Sequence, residues 1–227
     1  MRSNDDCSIA VNFVSGISSG LGRSLLESCG FAQPLGRHTA DLSMLENNTV
    51  IYCGINKDAE SNDYVRDNFE FLHRIILSKP SHLIFISTID VYQPVKTSYA
   101  HLKSSLEHFV NSHGVNSTIL RLPMTLTNHS RRNHLVKMFD HEDITLSGEA
   151  KFNYISQNTI KKVLEEIIGN KILGTFDVTS KDTLSLNEIK AKFDLNCEFG
   201  NYFYITPEVF EHSHPNLLQF QKHSEEE

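Results

Sequence analysis

Cysteine is scarce in this 227-residue chain and scattered where it occurs. Cys7, Cys29, Cys53 and Cys197 form no C-x-x-C pair, so their spacing supports neither a zinc site nor a disulfide framework. Scattered thiols suit a reducing compartment. The opening residues, MRSNDD, lack the apolar core of a signal peptide, and no apolar run approaches the roughly 20 residues of a membrane helix. A soluble cytoplasmic protein without membrane association is expected. Runs of Lys and Arg are absent too, and the formal net charge is −7, which speaks against a nucleic-acid partner. The histidines do not make up for the missing metal site. His212 and His214, and His129 and His134, lack a second ligand pair at metal spacing. There is no internal repeat, and only residues 224–227, SEEE, form a biased tract that reads as a frayed end.

With 39% hydrophobic and 22% charged residues, the chain has the balance of a globular protein, not a disordered one. Its length fits one α/β domain with a full core, or that domain with a small appendage. Strand and helix patterns alternate along it. Residues 8–15 (SIAVNFVS), 49–53 (TVIYC), 82–87 (HLIFIS), 117–122 (STILRL) and 175–178 read as strands. Residues 31–35 predict another, placed at an edge or strand end by Pro34. Helical periodicity marks residues 23–28, 62–78, 99–113, 159–168 and 186–193. This alternation predicts a mostly parallel, doubly wound α/β sheet of Rossmann-like type in a single domain.

Two constellations carry chemistry. The first strand runs straight into Gly16-Ile17-Ser18-Ser19-Gly20-Leu21-Gly22, which opens a helix. Glycines there allow a tight turn and a close backbone approach to a pyrophosphate, which the helix N-terminus attracts. A tight strand-to-helix turn without a ligand has the same sequence form. The second constellation is Tyr99-Ala100-His101-Leu102-Lys103. Four residues apart on a helix, phenol and ammonium share a face. Near a nicotinamide, the ammonium would favour the phenolate and let Tyr99 exchange a proton with a substrate oxygen. Taken alone, a Y-x-x-x-K spacing is also what a solvated helix face shows. Here it follows the glycine loop and a strand ending in Ser87-Thr88.

These segments resemble the short-chain dehydrogenase/reductase superfamily. VSGISSGLG looks like its cofactor fingerprint, and IFISTIDVY with SYAHLKSSLEHFV resembles its active-site strand and helix. Asn68 in VRDNFEFL, the run TILRLPMT and the run GTFDVTSKDTLSLNEI resemble the extended, sugar-nucleotide branch of epimerases, dehydratases and reductases. LGRHTADLSM followed by TVIYCGI is similar to the dTDP-4-dehydrorhamnose reductase subgroup. The resemblance spans about residues 8 to 190. It implies that Tyr99 donates the proton and that Lys103 binds the nicotinamide ribose and tunes Tyr99. Thr88 would bind the substrate oxygen, with Ser87 the competing choice. Gly16, Ser18, Ser19, Gly20, Leu21 and Gly22 would hold the cofactor, the glycines against its pyrophosphate. Asp41 and Leu42 would lie near the adenine, with Gly54 and Pro123 along the cofactor cleft. Arg37, after the second strand, favours NADP(H) over NAD(H), or is an exposed loop charge.

The chain also departs from that pattern. Between Gly22 and Val50 there is little room for strand–helix–strand, so the sheet is expected to be one strand short. The link from Tyr92 to Tyr99 is trimmed, which widens the site or hands its cover to a partner subunit. Related 4,6-dehydratases carry Asp-Glu after the Thr. Here Ile89 and Asp90 stand there, which argues against elimination, and Asp90 reads as a surface or N-cap carboxylate that could also polarise the site. Residues 139–158 and 197–220 are expected to build a small substrate lobe, with Phe152, Asn153 and Tyr154 where relatives contact the sugar nucleotide. Leu106, Phe109 and Val110 are compatible with a homodimer interface and serve equally as core. The expected activity is NAD(P)H-dependent reduction of a keto-sugar nucleotide in surface-polysaccharide or deoxysugar synthesis. An NAD-dependent epimerase and a non-catalytic NAD(P)-binding sensor or scaffold are the alternatives.

Overall fold

The computed structural model describes residues 12–28, 30, 32–54 and 62–207. Six strands form one parallel sheet: β1 (Asn12–Ser15), β2 (Ala32–Leu35), β3 (Thr49–Tyr52), β4 (His82–Thr88), β5 (Ser117–Leu122) and β9 (Gly174–Asp177). Their order is β2-β1-β3-β4-β5-β9. Among the described residues, this is the Rossmann strand order without a strand outside β2. The stretch after α1 (Gly20–Ser28) supplies only β2 and a 3-10 turn, Ser43–Leu45, before β3 begins. β2 is therefore an edge strand, and its Pro34 removes no ladder bond that a second neighbour would need.

Side-chain alternation decides which face each helix covers. Phe13, Val50, Tyr52, Leu83, Phe85 and Ile119 point to one face. There they pack on α2 (Asn62–Leu77) and α3 (Ser98–Ser112) through Phe71, Leu72, Ile75, Leu102, Leu106 and Val110. Val14, Ile51, Ile84, Ile86, Leu120 and Leu122 point to the other. That face packs on α1 and α5 (Gln157–Asn170) through Leu25, Ile160, Val163, Leu164 and Ile167. A slip of one residue in β4 would swap the two sets, so burial on both faces fixes the register. Each fully buried Leu, Ile or Phe contributes about 1.5–3 kcal/mol to that preference.

A smaller body sits beyond β5. It contains β6 (Met124–Leu126), α4 (His134–Phe139), β7 (Ile144–Leu146), β8 (Lys151–Ser156), β10 (Thr183–Ser185), α6 (Leu186–Phe193) and β11 (Phe199–Tyr202). β10, β8 and β6 form a three-stranded sheet, and β11 pairs with β7. Met138, Ile144, Ala150, Phe152, Leu186 and Ile189 form its separate core. A complete capping box, Ser185 with Glu188, starts α6.

The first strand is described from Asn12, so residues 8–11 of the expected span lie outside the described residues, as do Phe31 and residues 208–220 of the expected lobe. His212 and His214 lie outside them as well. The first helix begins at Gly20, three residues earlier than periodicity indicates, because the glycine loop itself supplies its first turn. Among the described helices, none is long and apolar enough to cross a membrane.

Candidate active site

All the chemistry-bearing residues sit at the C-terminal ends of the parallel strands, where β1 and β3 part and the winding direction reverses. The turn after β1 is built for close approach. Gly16 has φ +73°, and a Cβ there would lie 2.9 Å from Gly54 Cα, just past β3. A Cβ on Gly22 would lie 2.5 Å from the Ser15 carbonyl oxygen. The two positions bring α1 and the end of β3 down onto the β1 turn, and no larger residue fits either.

The resulting cleft has a volume of about 810 Å³. Gly16, Ser18, Ser19, Gly20, Leu21 and Gly22 line one wall, with Arg37 and Gly54 further along it. An inner cavity of about 300 Å³ continues from it, sharing Leu21, Cys53, Tyr99, Met124 and Thr125. Ser87, Thr88, Tyr99, Lys103 and Pro123 line that inner end. Volumes of this order suit a dinucleotide with a substrate beside it.

Asp41 and Leu42 do not line the cleft. Asp41 accepts a hydrogen bond from the Ser43 backbone at 2.8 Å, holding the 3-10 turn, and Leu42 is buried in the core under α2. That backbone bond holds the Asp41 carboxyl below its ordinary range. Asn68 is also structural: its amide donates to the Tyr64 carbonyl at 2.8 Å and its oxygen accepts from the Tyr52 hydroxyl at 3.3 Å.

α3 carries Tyr99, Lys103 and Glu107 at four-residue intervals, so all three stand on one face. Thr97 caps the helix, its hydroxyl accepting from the Ala100 N–H at 3.2 Å. Lys103 is 2% exposed and donates to the Ile86 carbonyl, with its ammonium 5.9 Å from the Tyr99 ring centre. Burial pulls its pKa down to about 8, against the opposing effects of Cys53 and Glu107. Tyr99 is 39% exposed and stands at the junction of the cleft and the inner cavity. Desolvation, then the Asp90 carboxylate, raises its pKa, while Arg131 opposes them. The lowering expected from Lys103 is thus not the leading effect in this geometry, because the ammonium is turned to a backbone carbonyl.

Of the two candidate hydroxyls, Ser87 donates to the Glu107 carboxylate. Thr88 accepts from the Asp90 N–H at 3.2 Å, which leaves its own proton for another acceptor. Glu107 is held in turn by Arg121 on β5, through Nη2 at 2.6 Å and Nε at 3.1 Å. Arg121 also lies 3.8 Å from Asp177, whose carboxylate accepts from the Tyr92 hydroxyl at 2.9 Å. This buried array fixes Ser87 from behind.

Asp90 is neither a surface charge nor a simple cap. It lines the inner cavity and accepts from the Tyr204 hydroxyl at 2.6 Å. Tyr204 and Thr206 also line the cavity, and Gln93, in the trimmed link, donates to the Ile205 carbonyl at 2.8 Å. The chain's own residues 204–206 therefore cover the side that the short link leaves open. Phe152 lines the cavity, but Asn153 is engaged by backbone at Ser180 and Asp182, and Tyr154 meets His134 at 3.2 Å.

Sequence reasoning missed Glu107 and Arg121, Tyr204 and Thr206, and the cleft wall formed by Thr127, Ser130, Arg131 and Asn133. The four-residue interval after Lys103 could have found Glu107. Nothing local marks the others.

Sheet order, glycine turn and strand-end cleft define a Rossmann-like architecture. Among solved structures with this fold is MoeE5 in complex with UDP-glucose and NAD, 12% identical, with a TM-score of 0.71 over 96% of this chain and 99% of that one. A dTDP-4-dehydrorhamnose reductase from Clostridium acetobutylicum is 16% identical, with a TM-score of 0.66 over 85% and 83%. UDP-glucuronic acid 4-epimerase from Bacillus cereus, in complex with NAD, is 15% identical, with a TM-score of 0.67 over 88% and 94%. At such identities the likeness is one of fold alone, the Rossmann-like fold these structures share with the chain. No protein-family model and no curated protein sequence matches the chain.

Proposed function

We propose that the protein is an NAD(P)H-dependent reductase of a keto-sugar nucleotide. The observation that carries this reading is that Tyr99, Lys103 and Thr88 line one inner cavity, which opens into the cleft over the glycine loop. The cleft fits the cofactor on its own chemistry. Gly16 and Gly22 leave backbone where any side chain would intrude, and the start of α1 lines the cleft, with the Gly20 N–H there taken by the His129 carbonyl. Gly16 to Gly22, Gly54, Pro123 and Lys103 would hold the dinucleotide, with Arg37 in place to meet a 2′-phosphate, which favours NADP(H).

A nicotinamide bound there supplies the hydride. Tyr99 gives its proton to the substrate carbonyl oxygen as that oxygen gains charge, a role that suits a phenol kept protonated by its surroundings. Thr88 donates to the same oxygen and holds it in place. Lys103, charged below its pKa of about 8, stabilises the phenolate left behind. Ile89, buried in the cavity wall, offers no acid where an elimination would use one. The sugar nucleotide as substrate rests on the resemblance and on a solved neighbour that holds UDP-glucose, and the cytoplasm as the compartment on the scattered cysteines.

The second reading is epimerisation, favoured by the solved epimerase that shares the fold and holds NAD. Two measurements separate them. Purified protein is analysed for bound nicotinamide nucleotide, and nicotinamide absorbance is followed on mixing with NADPH or NADH and 4-keto sugar nucleotides. Stoichiometric consumption of added NAD(P)H is the expected result. Firmly held NAD with turnover that needs no added cofactor would replace reduction by epimerisation, and absence of any nicotinamide binding would end both readings.

A further inference from the structure

Next to the glycine loop, Thr127, Ser130, Arg131 and Asn133 line the cleft, part of a strap of residues 127–133 that runs from β6 to α4 and touches the start of α1. This strap is fastened at several points. The Gly20 N–H donates to the His129 carbonyl at 2.9 Å, and His129 Nε2 meets the Glu27 carboxylate. The Asn128 N–H donates to Gln157 on α5 at 3.3 Å. A tight turn closed by Ser130 and Thr127 shapes the middle.

The strap carries two adjacent arginines with opposite fates. Arg132 points outward and pairs with Asp140 and Glu142. Arg131 lines the cleft, where its Nε donates to Ser19 Oγ at 2.8 Å. Among the described residues, Arg131 forms no ion pair. Its guanidinium is thus held against the first turn of α1, which is itself the positive end of a helix dipole. Two positive elements facing one half-enclosed space repel each other unless an anion lies between them. The fork-shaped donor matches a phosphate better than a carboxylate-free wall requires for packing alone.

We propose that Arg131, delivered by this strap, binds the diphosphate of the bound dinucleotide together with the glycine loop beside it. The proposal rests on the cofactor reading above and adds the residue that completes the diphosphate's charge balance. Glycine-loop N–H groups other than that of Gly20 meet the anion, and Arg131 meets it beside them. Ser19 holds the guanidinium in register while its terminal amino groups serve the phosphate oxygens.

The test is calorimetric binding of NADH and of ADP-ribose, a ligand with the diphosphate but no nicotinamide, to wild type, Arg131→Ala and Arg131→Lys. Melting of each protein without ligand serves as the folding control. Arg131→Ala is expected to weaken both ligands about 10- to 100-fold, the loss of a charged hydrogen-bond pair, while unliganded melting stays near wild type. Arg131→Lys should recover part of the loss, since it restores charge without the fork. Wild-type binding that survives unchanged in Arg131→Ala overturns the proposal and leaves the cofactor reading standing. Equal losses in both variants, with a lowered unliganded melting temperature, overturn it in favour of a structural strap. Wild type that binds neither ligand removes the cofactor reading itself, and the proposal with it.

Discussion

The proposed pairing of Tyr99 with Lys103 depends on α3, which buries one and leaves the other at the junction of two cavities. The lysine is the more informative member. Its pKa of about 8 lies below the ordinary 10.5, and desolvation is the main cause. The folded protein therefore holds this proton less tightly than the unfolded chain does. Unfolding takes up a proton between those values, so this group's contribution to stability rises with pH from about 8 to 10.5 and is lost as pH falls through 8. Lys103→Met should flatten that part of the stability-against-pH curve, measured by denaturant unfolding across the window. A slope unchanged by the substitution would mean that Lys103 is solvated. Turnover should move the other way, falling above pH 8 as the ammonium that stabilises the phenolate is lost. The Y-x-x-x-K spacing was legible in the sequence. The turn of Lys103 toward the Ile86 carbonyl was not, since it depends on where β4 ends beneath the helix.

At the scale of elements, β4, β5 and α3 are joined behind the site by charges rather than by apolar packing alone. Arg121 serves Glu107, Asp177 and Tyr92 at once, and its side chain and those of both carboxylates are mostly shielded. Removing the cation leaves two carboxylates without it. Arg121→Met should destabilise the fold by about 3–5 kcal/mol in urea unfolding, and adding Glu107→Gln should return part of that. A loss under about 1 kcal/mol would reduce the array to a solvent-screened pair. Long periodic elements were readable: α2 was expected over residues 62–78 and spans Asn62–Leu77, and α6 was expected over residues 186–193 and spans Leu186–Phe193. β6, β7 and β10 were not, because three residues are too few to show a period. Without β6 there was no reason to see the strap after it, and so none to single out Arg131.

Over the whole molecule, the sheet and its two helical layers carry the glycine-loop cleft, and the small body beyond β5 brings Phe152 to the inner cavity, which Tyr204 and Thr206 also line. The missing outer strand was visible as a shortage of residues between Gly22 and Val50, since chain length limits topology directly. The closure of the inner cavity was not visible, because Asp90 and Tyr204 meet across 114 residues of sequence and no local pattern encodes such a contact. The trimmed link before Tyr99 is met by the same chain, where Gln93 donates to the Ile205 carbonyl. This arrangement makes one claim central: Tyr99 is the proton donor in a cleft built for a nicotinamide dinucleotide. The direct measurement is turnover of a keto-sugar nucleotide with NAD(P)H, alongside calorimetric cofactor binding, for wild type and Tyr99→Phe. The account predicts that the variant keeps cofactor affinity within about twofold and loses turnover by about 100-fold or more. Turnover equal to that of wild type at unchanged affinity would contradict it.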